Sequence, residues 1–392
     1  MSTTPDPSVA AEIGVGRWAW AEVDPAAIEH NVAVIRAAVA PSAVWAVVKA
    51  GGYGHGAVVA ARAALAAGAD GLAVALVAEG LELRAAGIEA PILVLSEQPP
   101  LEVERAVEAR LALTVYSPAA VDAAADAAAR HGRVADVHVK VDTGMQRSGV
   151  APADAAELVA RVRAAPSLAL RGVFTHLAVA DEPERDVTAG QLARFDAVLD
   201  ALALPADVVV HSANTAGGLA HPTARRSLVR AGIGIYGISP GPGVDHLVGA
   251  LRPALSLRAR VTLVKSVAAG SSISYGHRHT FDRDTVVATL PLGYADGVPR
   301  LLSLVGGEVL VGGRRCPIVG VVTMDQLMVD VGPDAPVAVG DEAVLIGEQD
   351  GPGGPQRIRA EEWADRLGTI GYEIVCAISG RVPRVVRRSI DG

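Results

Sequence analysis

The sequence predicts an α/β protein in which a (β/α)₈ TIM-type barrel is followed by a mostly β C-terminal domain. Up to about residue 243, short β-rich runs alternate eight times with longer amphipathic helical segments rich in Ala, Leu and Arg. Past Pro240-Gly241-Pro242-Gly243 this alternation stops and β-rich runs dominate. An open doubly wound sheet is the alternative fold, but no G-x-G-x-x-G follows the first predicted strand.

The predicted barrel begins with a helix. Asp24 suits the N-cap and Pro25 the first helical position, and apolar residues then recur at helical spacing up to Val39. Eight predicted strands follow in chain order: Val44–Lys49, Gly71–Ala75, Pro91–Leu95, Ala112–Val115, Ala135–Val141, Ala169–Thr175, Asp207–His211 and Ser227–Arg230.

The second domain is predicted to contain strands and two helices. The strands are Leu257–Val267, Ser272–Tyr275, Thr285–Leu290, Glu308–Val311, Pro317–Val322, Leu327–Val331, Ala343–Ile346 and Val382–Val386, and the helices are Arg359–Leu367 and Ile370–Ser379. We therefore expect a flexible tail over residues 1–16, a barrel over residues 17–243 and a mostly β domain over residues 244–392.

Composition narrows the class of protein. The chain has 392 residues, is 51% hydrophobic and carries a net charge of −8 without basic runs, which argues against a nucleic-acid or membrane partner. No apolar run approaches about 18 residues, and residues 1–16 lack the pattern of a signal peptide. The two cysteines match no zinc, redox or disulfide spacing. We expect a cytoplasmic protein without a metal site.

Lys49 ends the first predicted strand, just before a glycine-rich turn that carries Tyr53. An unpaired ammonium group is costly to bury, so this lysine should be paired, neutralised or covalently engaged. Of the 35 Lys and Arg residues only Lys49, Lys140 and Lys265 are lysines. We interpret Lys49 as the residue that binds pyridoxal phosphate, the alternative being a structural lysine whose charged end reaches solvent.

Polar residues follow the C-terminal ends of several predicted strands, where (β/α)₈ barrels build their sites. They are Lys49, Lys140, Asp142, Arg147, His176, Asn214, Thr215, Arg230 and Gly232. The small residues after the seventh and eighth strands are typical of phosphate-binding loops. The pattern alone leaves His176 open as a structural histidine, Asp142 as a turn former and Lys140 as a paired core lysine.

The residue types suit racemisation of an amino acid. Arg147 could clamp a carboxylate, and Arg230 could meet the pyridine nitrogen. Inverting Cα requires a second acid/base on the face opposite the lysine, and a tyrosine whose pKa is lowered by nearby cations can serve. Most of the six tyrosines lie beside glycines or polar clusters, although Tyr294 can equally be a packed turn residue.

Eight motifs together resemble those of the alanine racemase family. They are Ala46-Val47-Val48-Lys49-Ala50-Gly51-Gly52-Tyr53-Gly54-His55-Gly56, Lys140-Val141-Asp142-Thr143-Gly144-Met145-Gln146-Arg147, Phe174-Thr175-His176, His211-Ser212-Ala213-Asn214, Arg230-Ala231-Gly232-Ile233, Ser274-Tyr275-Gly276, Gly293-Tyr294-Ala295-Asp296-Gly297 and Met324-Asp325-Gln326. They occur in the family's order and cover nearly the whole chain after about residue 17. The combination is specific, whereas any one motif alone is weak.

The resemblance implies a homodimer of fold-type III pyridoxal-phosphate subunits, each site being completed by the partner's C-terminal domain. Lys49 would then be the Schiff-base lysine and the base acting on the D-enantiomer, and Tyr275 of the partner subunit the base acting on the L-enantiomer. The implied cofactor contacts are Lys49, Tyr53, His176, Asn214, Thr215, Arg230, Gly232, Ile233 and Tyr372. The implied substrate contacts are Arg147, Tyr294, Met324 and Asp325, and Lys140 resembles a lysine that is often carbamylated.

The implied reaction is the interconversion of L-alanine and D-alanine, which supplies D-alanine for cell-wall peptidoglycan. Four residues depart from the family pattern without removing a reacting group. Gly51 stands where Asn or Asp is common, and Gln146 where Gly or Asn is common. Thr323 stands where Cys is common, and Gly371 where Asn is common. A serine or broad-specificity racemase is therefore an alternative. A non-catalytic pyridoxal-phosphate-binding protein is another, although the full second domain with Tyr275 argues against it.

Overall fold

A computed structural model describes residues 16–387. The flexible tail expected over residues 1–16 lies, except for Gly16, outside the described residues. The chain forms two compact units. The first is Ala26–Arg252, and the second contains the described residues before Ala26 and after Arg252.

The strands and helices alternate through the first part of the chain. In order they are β1 (Ala19–Val23), α1 (Pro25–Val39), β2 (Ala43–Val47), α2 (Ala57–Ala66), β3 (Gly71–Val74), α3 (Val77–Ala85), β4 (Ile92–Val94), α4 (Pro100–Glu108), β5 (Ala112–Val115), α5 (Pro118–Arg130), β6 (Ala135–Lys140), α6 (Ala155–Ala164), β7 (Leu168–Phe174), α7 (Val187–Leu202), β8 (Val209–His211), α8 (Thr215–Ala220) and β9 (Leu228–Ala231). The short helical segment Lys49–Tyr53 lies between β2 and α2.

The later part of the chain is mostly strands. In order they are β10 (Leu255–Arg260), β11 (Leu263–Val267), β12 (Ser272–Ile273), β13 (His279–Thr280), β14 (Thr285–Leu290), β15 (Glu308–Val311), β16 (Arg314–Val319), β17 (Leu327–Asp330), β18 (Glu342–Gln349), β19 (Gln356–Ile358), α9 (Ala360–Leu367), α10 (Gly371–Cys376) and β20 (Arg384–Val386).

The first unit is a nearly closed barrel of eight parallel strands, as predicted. The hydrogen-bonded order is β8-β7-β6-β5-β4-β3-β2-β9. The two edge strands meet through backbone bonds from Ser227 N to Val210 O and from Arg230 N to Ala213 O, each 3.0 Å long. Every predicted barrel strand overlaps an observed one, because strands covered by helices are apolar almost throughout.

The helices around the barrel follow ordinary local rules. Before α5, the Ser117 side chain accepts a hydrogen bond from Ala120 N at 3.2 Å, and Pro118 occupies the first turn. The same helix buries Val121 and Ala124 on one face. This face is the one that the apolar spacing predicts.

The second unit is built on a ten-stranded sheet, and β1 belongs to it. Strand β1 pairs antiparallel with β10 and parallel with β20. The sequence placed residues 17–25 in the barrel domain and ended that domain at residue 243, so the structure differs at both ends. Ala250 and Arg252 stay with the barrel because their backbone groups bond to His30 and Asn31 of α1.

One predicted strand, Leu257–Val267, is two strands in the structure. Strand β10 pairs with β1 and β18, whereas β11 pairs with β14. The apolar pattern continues while the pairing partner changes, so the sequence alone does not reveal the break. Among the described residues, no helix is both long and apolar enough to cross a membrane.

Candidate active site

Lys49 opens a turn of unusual backbone conformation at the mouth of the barrel. Ala50, Gly51 and Gly52 have φ of 53°, 61° and 64°, and Tyr53 has φ of 51°. Glycine adopts this left-handed region readily, whereas alanine and tyrosine do so at a cost. The preference for Asn or Asp at the position of Gly51 in the family pattern has the same cause, since those residues also tolerate this conformation.

Hydrogen bonds hold this turn in place. The Glu79 carboxylate accepts from Ala50 N at 2.6 Å and from Ala75 N at 2.8 Å, which joins the loops after β2 and β3. His55 Nδ1 lies 3.1 Å from Gly52 O, so this buried histidine bonds to the backbone of the same turn. Lys49, half-buried, is therefore attached to a constrained segment.

Arg230, on β9, is buried and surrounded by neutral acceptors. Its Nη2 donates to Thr175 O at 2.9 Å and to Ser212 O at 3.1 Å, and lies 3.3 Å from His176 Nδ1. Its Nη1 lies 2.8 Å from His211 Nδ1. Burial lowers the pKa of Arg230 to about 9. The guanidinium therefore remains a cation at neutral pH, and the hydrogen bonds described for it include no carboxylate.

The two histidines that contact Arg230 are held neutral. Burial, and then the charge of Arg230, lower the pKa of His176 well below its usual value. The same two causes lower the pKa of His211. His176 and Arg230, both implied as cofactor contacts by the family resemblance, lie side by side in the structure.

A second group of side chains gathers where the loops after β2, β8 and β9 meet. Thr215 Oγ1 accepts from Gly232 N at 2.9 Å. A Cβ on Gly232 would lie 2.9 Å from the Tyr53 hydroxyl, so a larger residue at this position would displace that hydroxyl. Ile233 follows in a buried one-turn helix. The Asn214 side chain accepts from Gly217 N at 2.8 Å and thus caps α8.

Lys140 and Arg147 flank the loop after β6. Burial, then the charges of Arg147 and Arg230, lower the pKa of Lys140 to about 8. Its Nζ donates to Ser148 Oγ at 2.6 Å. The Arg147 side chain is exposed.

Asp142 shapes that loop, the structural role left open for it in the sequence. Its Oδ1 accepts from Gly144 N at 2.9 Å and from Gln146 N at 3.1 Å. Gln146 has φ of 56°, which explains why glycine or asparagine is frequent at this position in the family pattern.

The second unit carries Tyr275, Tyr294, Met324 and Asp325 on neighbouring loops, and all four are exposed. Ser274 Oγ donates to Val321 O at 2.8 Å. Tyr294 N donates to Thr323 O at 3.0 Å, and Ala295 N donates to Met324 O at 3.1 Å. The loops are thus joined mainly through backbone groups.

An ion-pair network supports these loops. Asp296, fully buried, accepts from Nη1 and Nη2 of Arg17 at 2.8 Å each and from Gly293 N at 3.0 Å. Arg381 Nη2 lies 2.7 Å from Asp325 Oδ1. Sequence reasoning missed Arg17, since only the fold shows that residue 17 meets residue 296.

The structure thus separates the predicted site residues into two sets. Lys49, Tyr53, Lys140, Arg147, His176, Asn214, Thr215, Arg230, Gly232 and Ile233 lie in the barrel unit, and Tyr275, Tyr294, Met324, Asp325 and Tyr372 lie in the C-terminal unit. The sequence did not predict three of the polar side chains described at the barrel site: Glu79, His138 and Ser148. The spacing of His138 and Lys140 was the available signal, because alternate residues of a strand share a face.

Comparisons with known proteins identify the family of both parts of the chain. Family models described as the N-terminal and C-terminal domains of alanine racemase match residues 23–240 and 254–386. An alanine racemase from Symbiobacterium thermophilum is 49% identical over 367 residues, which cover 93% of this chain and 96% of that protein.

Solved structures are similar as well. Alanine racemase from D-cycloserine-producing Streptomyces lavendulae is 41% identical, with a TM-score of 0.88 over 96% of this chain and 99% of that one. Alanine racemase from Bacillus anthracis with bound L-Ala-P is 40% identical, with a TM-score of 0.87 over 96% of both chains. The chain therefore belongs to the alanine racemase family and is an amino-acid racemase.

Proposed function

We propose that this enzyme interconverts L-alanine and D-alanine by a two-base mechanism that depends on pyridoxal phosphate. The observation that carries the proposal is the placement of two acid/base groups on separate units. Lys49 lies at the barrel mouth, and Tyr275 is 73% exposed on a C-terminal loop. A tyrosine that completes the active site of a partner subunit has to be exposed on its own subunit.

The barrel residues fit the cofactor. A buried guanidinium whose bonds, within the described part of the chain, go to neutral acceptors suits an unprotonated pyridine nitrogen, because Arg230 has N–H groups to donate and holds its proton. The backbone N–H groups around Gly232 and Ile233, with the hydroxyls of Tyr53 and Thr215, suit a phosphate. His176 would lie beside the ring, Asn214 would support the phosphate loop and Tyr372 would add a hydroxyl to the phosphate.

Two bases do the proton chemistry. When bound, pyridoxal phosphate would supply a carbonyl that can be linked to the amine of the lysine or of the amino acid, and a ring that can accept the electron pair left at Cα. Lys49 takes the Cα proton of D-alanine, and the partner subunit's Tyr275 gives a proton to the opposite face. In the L to D direction the partner subunit's Tyr275 takes the proton and Lys49 gives one. One group on one face would return the proton to the face it left.

Other side chains orient the substrate. Arg147 and the backbone N–H of Met324 bind the alanine carboxylate, Tyr294 narrows the entrance, and Asp325 lies at the substrate end. Lys140 is a candidate for carbamylation because its lowered pKa, about 8, leaves part of the amine neutral and nucleophilic near neutral pH. A carbamate there would turn a positive charge beside Arg147 into a negative one.

The proposal implies a homodimer with shared active sites, in the cytoplasm, supplying D-alanine for peptidoglycan. A racemase for serine or for several small amino acids is the alternative within the same chemistry. One hydroxyl in a small pocket often changes the free energy of transition-state binding by only about 1–3 kcal/mol.

The test is deuterium incorporation at Cα. Purified holoenzyme is incubated in D₂O with L-alanine or with L-serine, and chirality is followed in the same samples. The proposal predicts exchange with formation of D-alanine and little exchange with serine. Equal turnover of serine would support the broad-specificity alternative, and bound cofactor without exchange of either amino acid would contradict racemisation.

A further inference from the structure

Two buried histidines lie behind Arg230 inside the barrel. Arg230 Nη1 is 2.8 Å from His211 Nδ1, and His211 Nε2 is 3.0 Å from His138 Nδ1. His211 is fully buried, and His138 is 2% exposed. The three side chains form a row from β9 through β8 to β6, which we call the histidine row.

The positions of the protons on His211 and His138 follow from the Arg230 guanidinium, which can only donate hydrogen bonds. A guanidinium only donates, so His211 Nδ1 must be an acceptor without a proton. A neutral imidazole then carries its proton on Nε2, which donates to His138 Nδ1, and the proton of His138 lies on Nε2. Burial, with a contribution from Arg230, lowers the pKa of His138 to about 3, so this ring also stays neutral.

We propose that His138 is a positioning residue for Arg230 and acts through His211. By accepting from Nε2 of His211, it keeps His211 Nδ1 available to accept from the guanidinium. If the proton of His211 moved to Nδ1, two N–H groups would face each other and Arg230 would lose one of its bonds. The consequence for catalysis rests on the proposed function, whereas the proton positions are a property of the chain.

The packing keeps both rings in this register. A Cβ on Gly172, the residue paired with His138 on β7, would lie 2.3 Å from His138 Nδ1, so the absence of a side chain there makes room for the ring. Phe174 stacks on His211 with centroids 4.6 Å apart and an angle of 6°. Trp45 lies against His138 with centroids 5.9 Å apart.

Two variants separate this positioning role from packing. His138→Asn retains an acceptor, since Asn Oδ1 reaches the place of His Nδ1, whereas His138→Leu has similar size and shape and no acceptor. In full-length holoenzyme labelled with ¹⁵N-histidine, long-range ¹H–¹⁵N NMR reports which ring nitrogen carries the proton. The loss of one signal in His211→Asn assigns the His211 ring.

The expected wild-type spectrum has the His211 proton on Nε2, and His138→Asn preserves it. In His138→Leu this tautomer is lost or mixed, and kcat for alanine falls about tenfold while KM changes less than about twofold. In His138→Asn, kcat stays within about threefold of the wild type, since the acceptor is retained. Rescue by Asn is the outcome that a purely space-filling role would not give.

Two results would overturn the inference. One is a proton on Nδ1 of His211 in the wild-type protein, a result that needs no variant to fold. The other is an identical tautomer and kcat in the Leu and Asn variants. If the wild-type protein shows the expected tautomers but does not racemise alanine, the proposed function is contradicted, whereas the proton positions inferred for His211 and His138 are confirmed.

Discussion

The barrel unit and the C-terminal unit hold their candidate functional side chains in different ways. In the barrel, Arg230 is buried and bonded directly to two histidines. In the C-terminal unit, Tyr275 and Met324 are exposed, and their loops are held by backbone hydrogen bonds together with the side chains of Ser274 and Asp296. The barrel therefore presents a preorganised group, whereas the C-terminal loops present exposed side chains.

The largest expected effect separates chemistry from structure in the two units. In Tyr275→Phe an acid/base group is lost, so we expect kcat to fall by about 10²–10⁴. The free energy of unfolding should change little, because only an exposed hydroxyl is removed. Steady-state rates, the visible absorption of bound cofactor and urea unfolding check this.

The matched control is Tyr236→Phe in the barrel. The buried Tyr236 hydroxyl donates to Val47 O at 3.1 Å, so its loss should lower the free energy of unfolding by about 1 kcal/mol and change kcat far less than Tyr275→Phe does. Loss of bound cofactor in Tyr275→Phe would contradict the role assigned to that tyrosine.

The next effect tests how the C-terminal loops are supported. Arg17→Met leaves the buried Asp296 carboxylate without its main partner, so we expect a loss of about 2–3 kcal/mol in the free energy of unfolding. Arg161→Met, in which an exposed pair with Asp122 is lost, is the control and should lower the free energy of unfolding far less, because solvent screens that pair. Equal losses in the two variants would show that Asp296 does not depend on Arg17.

The same ion pair predicts a pH dependence. Burial opposes ionisation of Asp296, but the bonds from Arg17 and Gly293 N outweigh it, so the pKa of this carboxyl is lowered on folding. The stabilisation is therefore present above the unfolded pKa, about 3.9, and is lost as pH falls through the lower folded pKa. Urea unfolding should show the difference between wild type and Arg17→Met shrinking below about pH 4.

The smallest effect concerns the two left-handed turns near the barrel mouth. Gly51 and Gln146 have similar φ, 61° and 56°. We expect Gly51→Ala to cost about 1 kcal/mol, since no neighbour within 4 Å would clash and only the backbone is strained. Gln146→Gly should stabilise the fold by up to about 1 kcal/mol. Thermal or urea unfolding measures the change in the free energy of unfolding for each variant, and we expect the two changes to have opposite signs. Changes of the same sign would refute the backbone explanation.

The sequence predicted the barrel strands well and the domain boundaries less well. Strand β5 was predicted with its observed bounds because a parallel strand covered on both faces is a short apolar run between turn signals. Strand β1 was missed because its partners in β10 lie more than 200 residues away, so nothing local marks it as part of the second sheet.

The candidate site shows the same limit. The motifs around Lys49, Arg230 and Tyr275 could be recognised in the sequence because their residues are close together along the chain. The contact of His138 with His211 joins residues 73 positions apart, and strand alternation predicts a shared face without predicting a hydrogen bond. The left-handed backbone at Gln146 also needed the structure: the Gly or Asn that is common there in the family pattern is consistent with it, but the glutamine itself gives no such signal.

The central claim is that each active site combines Lys49 of one subunit with Tyr275 of the other. Lys49→Ala and Tyr275→Phe proteins, each almost inactive alone, are mixed, dissociated and reassociated, and alanine racemisation is measured. A hybrid dimer has one site with both bases intact, so random reassociation should restore about a quarter of the wild-type activity. Activity that stays at the level of the separate variants after hybrid dimers have formed would contradict the claim.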